Sequence, residues 1–263
     1  MNARPHTPLI VVIGGHDPSG AGIQADIETA LARGCHAASL ITCLTTQNTE
    51  RVTEVIPTAG ATLVAQFDLL TQDWATFDAC KIGLIPTVEV ARAIVHIVRR
   101  LPVGTPIVLD PVIAAGSGAE LRGHDVRRVV LEELWPLATV RTPNAQEAAR
   151  LATLAGHRDT ATWRRAQRGW LLVKSVTSTA TTLAHELDAD GERQMSSSWP
   201  TLPGRFHGTG CTLATAIACG LARGDAMATA CASALDYTWH TLLDPLDFRG
   251  AQQLPRRLSA GTE

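Results

Sequence analysis

The sequence predicts a three-layer α/β/α protein whose central sheet is mostly parallel, with a small antiparallel hairpin at one edge. Three observations carry that prediction. Short aliphatic runs without alternation, such as Leu9 to Ile13 and Ala79 to Ile82, read as strands buried on both faces. Amphipathic segments of helical period separate them, and no Pro/Gly/Ser-rich linker interrupts the alternation across the 263 residues, so one domain is expected rather than two. Asp190-Gly191 between two β-prone runs is a tight-turn signal for a hairpin.

Taken in order, Leu9 to Ile13 is expected to be a strand that stops at a loop beginning Gly14-Gly15. Gly22 to Arg33 is expected to be helical, with Gly34 as its C-terminal cap. Ser39 to Leu44 follows as a strand, Thr53 to Ile56 as a short β segment, Ala61 to Leu70 as a helix and Ala79 to Ile82 as a strand. Pro86 is placed to open a helix at its first position, with Val90, Ile94, Ile97, Val98 and Leu101 on one face. Beyond it come the strand Ile107 to Leu109, a helix near Val126 to Leu134, the strand Thr139 to Arg141 and a helix starting around Asn144. Trp170 to Lys174 is a further strand, and Thr179 to Leu187 and Glu192 to Ser196 are the arms of the edge hairpin. The final third is helical: Leu213, Ile217 and Leu221 share a face, and an alanine-rich helix runs from Ala226 to about Leu242.

Hydrophobic residues make up 45% and charged residues 18%, which excludes a disordered or linker-rich chain. A formal net charge of -2 supplies no field for nucleic acid or an anionic membrane, and 4% aromatics offer few stacking platforms. A small-molecule function is the default. The six cysteines form no C-x-x-C pair and no Cys/His cluster at zinc spacing, and several sit in apolar segments, as expected in a reducing compartment. The polar amino end, followed by only five apolar residues, is too short for a signal or membrane segment, so cytoplasm is expected.

In open α/β sheets ligands bind where the strands end, which directs attention to the loops after residues 13, 44, 82, 109, 141 and 174. Gly20 to Ala25 formally fits G-x-G-x-x-A, but Gly20 lies six residues past Ile13 and the following strand lacks the ribose-binding acid, so a dinucleotide site is not expected. There is no G-x-x-x-x-G-K-[ST] either. The segment His207-Gly208-Thr209-Gly210-Cys211, just before a helix, is more informative. Glycines there expose backbone N–H groups at the positive end of the helix dipole, which makes an anion site suited to a transferring phosphoryl group. The same dipole is expected to lower the pKa of the Cys211 thiol, which could then accept a proton or sit against a substrate hydroxyl. The alternative is a glycine-rich turn with a buried small thiol.

Asp17 to Asp26, Thr46-Gln47-Asn48-Thr49, Lys81-Ile82-Gly83, Asp110-Pro111-Val112, Thr142-Pro143-Asn144 with Glu147, and His207 to Cys211 together resemble the hydroxymethylpyrimidine/phosphomethylpyrimidine kinases of thiamine biosynthesis, in the ribokinase-like superfamily. The matches fall in family order from residue 9 to about 240. The resemblance implies that Gly15, Asp26, Gln47, Leu84 and Val112 surround a pyrimidine, with Leu84 where the family commonly has Met. It implies that Asp110 and Glu147 act near Mg²⁺, and that Lys174 and Asn144, with Gly208 and Thr209, lie against ATP. The Gly208, Thr209 and Gly210 amides with Cys211 would be the catalytic loop, and the assembly a homodimer. Read alone, Asp26 is a solvated helix residue, Gln47 part of a polar loop, Lys174 a solvated strand end, and Asn144 with Glu147 a capping box. A pyridoxal kinase and a non-catalytic pyrimidine-binding protein are the other readings.

The chain departs from the family pattern in five places. Ser19-Gly20-Ala21-Gly22 lacks a double glycine, Ala115-Gly116-Ser117-Gly118 lacks a lysine, and Ser175-Val176-Thr177 replaces Gly-Gly-His after Lys174. The tail from Asp244 to Leu258 looks unrelated to the family's glycine/histidine-rich end, and Gly156 to Trp170 is short. The first change affects the loop's shape, the next two and the tail bear on the nucleotide contacts, and the short span implies trimmed helices.

Overall fold

A computed structural model describes residues 6–112, 123–249 and 252–258. The departure at Ala115 to Gly118 lies outside the described residues. Among the described residues nine strands form one sheet in the order β3-β2-β1-β4-β5-β6-β7-β8-β9. These are β1 (Leu9–His16), β2 (His36–Gln47), β3 (Val52–Pro57), β4 (Ala79–Ile82), β5 (Ile107–Leu109), β6 (Val140–Arg141), β7 (Trp170–Ser178), β8 (Thr182–Ala189) and β9 (Glu192–Pro200). The six strands from β2 across to β7 run parallel, and the sheet is antiparallel at both ends, β3 against β2 and β8-β9 against β7. The mostly parallel, three-layer class and the edge hairpin are as expected; the second antiparallel edge is an addition.

Alternate side chains of β1 feed two cores. Val11 and Ile13 point to a cluster with Leu63, Phe67, Ile94 and Trp163, which covers one face. On that face lie α2 (Gly60–Asp73), α3 (Val88–Val98), α4 (His124–Val129), α5 (Ala145–Leu154) and α6 (Thr160–Arg165). Ile10 and Val12 point the other way, to Leu213, Ala216, Ile217 and Leu235. That face is covered by α1 (Gly22–Ala32), α7 (Thr209–Ala222) and α8 (Met227–His240). Each fully buried Ile or Leu contributes roughly 1.5–3 kcal/mol, so continuous aliphatic strands are favourable only in a sheet covered on both sides. Small residues let α7 and α8 pack closely: a Cβ on Gly220 would stand 3.0 Å from that of Ala230.

Several boundaries differ from expectation for local reasons. Gly14 and Gly15 belong to β1, which continues to His16 with a register shift against β2. Pro86 precedes its helix rather than opening it. Thr87 is the cap, its hydroxyl accepting from the Val90 N–H at 3.2 Å, and a side-chain cap sets the start more firmly than a fixed φ alone. The Val126 to Leu134 helix divides into α4 and a π-helical turn, Val130–Leu134. Thr179 to Thr181 form a turn held by the Thr179 hydroxyl, so β8 starts later and runs on to Ala189, and the second arm, β9, is longer than expected, continuing to Pro200.

The hairpin turn needs left-handed backbone at Asp190 (φ 50) and Gly191 (φ 84), and a Cβ on Gly191 would collide with the Arg165 carbonyl. Gly191→Ala is expected to cost about 1–3 kcal/mol and lower Tm by several degrees; an unchanged melting curve would show that the turn does not constrain the edge.

Candidate active site

The carboxyl ends of the parallel strands open into a cavity of about 480 Å³. Gly14, Gly15 and His16 reach it from β1, Thr45 and Gln47 from β2, Lys81 from β4, and Asp110 and Val112 from the end of β5. Asn144, Glu147, Lys174 and Ser175 continue the rim, and Gly208, Thr209, Gly210 and Cys211 close it from the α7 N-terminus. Leu84 completes a wall against Gly15, where a Cβ would sit 2.9 Å from both Cys43 Sγ and Leu84 Cδ2.

Of the expected site residues, Gly15, Gln47, Leu84, Val112, Asp110, Glu147, Lys174, Asn144 and Gly208 to Cys211 are thus brought to one cavity. Asp26 is not. Its carboxylate is fully buried behind Gly14, takes both oxygens to Lys81 Nζ at 2.8 Å, and accepts the Thr215 hydroxyl at 2.7 Å. Asp26 lies on the inward face of α1, so a solvated helix position is also ruled out. Burial opposes the charge on Lys81, but the paired carboxylate holds its pKa above the ordinary lysine range. Thr215 and Cys211 are four residues apart on α7, so this ion pair lies one helical turn below the thiol.

The first loop folds through Gly20 (φ 107) and Gly22 (φ 55), whereas Ala21 has an ordinary φ of -103. Asp17 accepts from the Ser19 N–H at 2.7 Å and pairs with His207 Nε2 at 2.6 Å, joining this loop to the one before α7. Although burial works against its charge, hydrogen bonds from His207 and Ser19 hold the Asp17 carboxyl below the usual carboxylate range.

Gly208 caps α7 at φ 84, and no side chain among the described residues caps that N-terminus. At Gly210 a Cβ would come within 3.3 Å of Asp110 Oδ2 and 3.5 Å of Lys174 Nζ, so glycine here keeps open a cradle between amides, ammonium and carboxylate. Cys211 departs from expectation. Burial is the largest influence and raises its thiol pKa, the Asp26 and Asp110 charges add to the rise, and Lys81 and the Gly22 N–H only partly oppose it.

Lys174 Nζ meets Asp110 Oδ1 at 2.7 Å, and Thr142 Oγ1 donates to the same oxygen at 3.0 Å. Burial disfavours the Lys174 charge, but Asp110 and Glu147 outweigh it and raise the pKa. Asn144 and Glu147 form the capping box, with bonds of 2.8 and 2.9 Å, while also lining the cavity. Among the described residues no group of three or more His, Cys, Asp or Glu converges as a metal site.

Sequence reasoning overlooked the apolar end of the cavity, formed by Leu183, Trp199, Leu235, Trp239 and Leu242 together with His185. Their signal was weak: β8 and β9 read as an edge hairpin and α8 as an alanine-rich cover. It also overlooked Arg257. This buried side chain donates to the Gly20 carbonyl (2.9 Å), Thr212 Oγ1 (2.9 Å) and Glu28 Oε2 (2.7 Å), so the tail fastens the first loop to α7.

This fold and site define a ribokinase-like phosphotransferase. The sequence model of the phosphomethylpyrimidine kinase family matches residues 17–255, and the chain belongs to that family. It is 35% identical over 240 residues to the hydroxymethylpyrimidine/phosphomethylpyrimidine kinase of Streptomyces coelicolor, covering 88% of this chain and 87% of that one. Against a chloroplastic thiamine biosynthetic bifunctional enzyme of Arabidopsis thaliana it is 33% identical, spanning 85% of this chain but only 44% of that protein. A crystal structure of phosphomethylpyrimidine kinase from Clostridium difficile superposes with a TM-score of 0.72 at 27% identity, covering 89% of this chain and 99% of that one. Pyridoxal kinase from Staphylococcus aureus in complex with pyridoxal shares the fold, with a TM-score of 0.83 at 21% identity over 98% and 96% of the two chains.

Removing one partner of a buried ion pair leaves an uncompensated charge, so Asp26→Leu is expected to cost about 3–5 kcal/mol in urea unfolding. The double variant Asp26→Leu/Lys81→Met should recover most of it, and a single variant within 1 kcal/mol of wild type, an ordinary surface-like effect, would count against the pair. His185 supplies a pH test. Burial and the nearby Lys174 charge depress its pKa to about 4. The unfolded imidazole titrates near ~6.5, so the stability contribution is full above that pH and is lost as pH falls toward 4, about 3 kcal/mol in all. His185→Asn should flatten the stability profile across that window; an unchanged slope would assign the dependence elsewhere.

Proposed function

We propose that the chain is an ATP- and Mg²⁺-dependent kinase that phosphorylates 4-amino-5-hydroxymethyl-2-methylpyrimidine and then its monophosphate, in the cytoplasm, as one kinase domain that works as a homodimer. The observation carrying this reading is the open glycine cradle at Gly208 to Gly210, flanked by Lys174 and Asp110 and facing the cavity wall of Gly15, Gln47, Leu84 and Val112. Family membership supports the reaction class. No helix among the described residues is long and apolar enough to cross a membrane.

The residues fit each part of the reaction. ATP supplies the phosphoryl group when bound, and Asp110 and Glu147 suit a cation that retains most of its waters and phosphate ligands, since two carboxylates are too few for a protein-only cage. Lys174 supplies a fixed positive charge beside the cradle. The uncapped amides of Thr209, Gly210 and Cys211 would stabilise negative charge on the transferring group. Gln47 offers an amide that can donate and accept toward a ring nitrogen and an exocyclic amine, while Leu84 and Val112 cover the ring faces. Asp26 acts indirectly, by holding Lys81 and α7 in place. Cys211 orients the substrate hydroxyl, and its thiolate takes the proton as oxygen attacks phosphorus. Because burial raises that thiol's pKa, turnover should climb with pH above neutrality.

A coupled ADP assay with the pyrimidine alcohol and with its monophosphate, each with and without Mg²⁺, tests the reading. Magnesium-dependent ADP release with both substrates is expected, and none with either would refute it. Cys211→Ala should lose about 100-fold or more in kcat and flatten the pH profile. Near-wild-type turnover in that variant would remove Cys211 from proton transfer.

A further inference from the structure

The bulge between β7 and β8 places an imidazole where the chain departs from its family. Val173 pairs with Glu186 and Thr177 with Ala184, so Lys174, Ser175 and Val176 stand opposite His185 alone. The extra residues force Ser175 into left-handed backbone at φ 55, a conformation that is unfavourable for a side chain bearing Cβ. In that posture its N–H donates to His185 Nδ1 at 3.2 Å. A ring nitrogen that accepts is unprotonated, so the neutral ring carries its proton on Nε2. His185 is only 9% exposed, its ring packs edge-on against Trp199 at 5.7 Å, and it lines the cavity between Lys174 and the apolar end. Nε2 has no hydrogen-bond partner among the described residues.

We propose that His185 is a nucleotide-binding residue, whose Nε2–H donates to an oxygen of the phosphate-ribose part of a nucleoside triphosphate held beside Lys174. The Nε2–H opens onto the cavity rather than into protein, so a ligand that fills the space beside it loses affinity unless one of its oxygens accepts from it. The titratable and charged groups packed around the ring favour a neutral donor there: Lys174 lies on the neighbouring strand, and it disfavours a second cation. A neutral imidazole therefore supplies direction where Lys174 already supplies charge. The bulge is then a device that fixes the tautomer, since the Ser175 amide selects which nitrogen is free to donate.

The proposal rests on the cavity being a kinase's nucleotide site, and the experiment separates the two. Calorimetry measures Kd for Mg-ATP and for inorganic triphosphate with wild type, His185→Asn and His185→Gln, alongside Tm at pH 7.5. Asn offers an acceptor at the Nδ1 position and no donor at Nε2; Gln can place an amide donor near Nε2. The Asn variant should keep its Tm and bind Mg-ATP about tenfold or more weakly, with Gln retaining more of the affinity. Weakening of both ligands assigns the contact to phosphate, and weakening of Mg-ATP alone assigns it to ribose. Equal affinities in wild type and the Asn variant would overturn the role of His185 alone, and a wild type that does not bind Mg-ATP would overturn both readings. Imidazole nitrogen NMR of the wild-type protein gives an independent readout: an Nε2–H tautomer whose proton moves downfield on adding Mg-ATP is expected, and an Nδ1–H tautomer would refute the proposal.

Discussion

Beneath the cavity floor, the ammonium of Lys81 on β4 lies between both oxygens of Asp26 on α1, and the Thr215 hydroxyl from α7 completes the set. These three elements carry the two glycine loops and the strand between them. A charge pair taken out of water is tolerable only with full hydrogen bonding, so its partners have little freedom to move. Fixing α1 fixes where the first loop must end, and fixing α7 one turn above Thr215 fixes the amides of Gly210 and Cys211. The ion pair is thus the reference point from which both loops are placed.

Above that floor the site divides its tasks by chemistry. Formal charges are few and close together, with Lys174 matched by Asp110 and Glu147, while Asp17 and His207 join the two loops. Backbone amides then face the centre without the desolvation cost of another buried lysine. A chain with a net charge of -2 can handle phosphate in this way because the field is local. Cys211 also fits this logic: a helix dipole favours its thiolate, yet burial and two nearby carboxylates outweigh the dipole.

Much of the fold was legible because doubly buried strands must be aliphatic, and β4 and β5 begin and end where those runs do. The loops at the strand ends were legible for a related reason, since only particular turn residues fit between a strand and a helix. What escaped depends on partners far away in sequence. Asp26 looked solvated because nothing near it announces Lys81, 55 residues on. His185 and Trp199 belong to a hairpin whose pattern says edge, not cavity wall. The start of α3 shows a smaller failure, where Thr87 competed with Pro86 for the first turn and side-chain capping prevailed.

Arg257 gives the molecule an order of completion. Its guanidinium satisfies the Gly20 carbonyl across a separation of 237 residues, and its own carbonyl accepts the Tyr237 hydroxyl at 2.8 Å. Contacts of such long range form late, because chain entropy must be overcome before they contribute. Until Arg257 packs, the first loop lacks its fastening to α7. The finished cavity is thereby coupled to the packing of a segment more than two hundred residues along the chain from the loop it fastens.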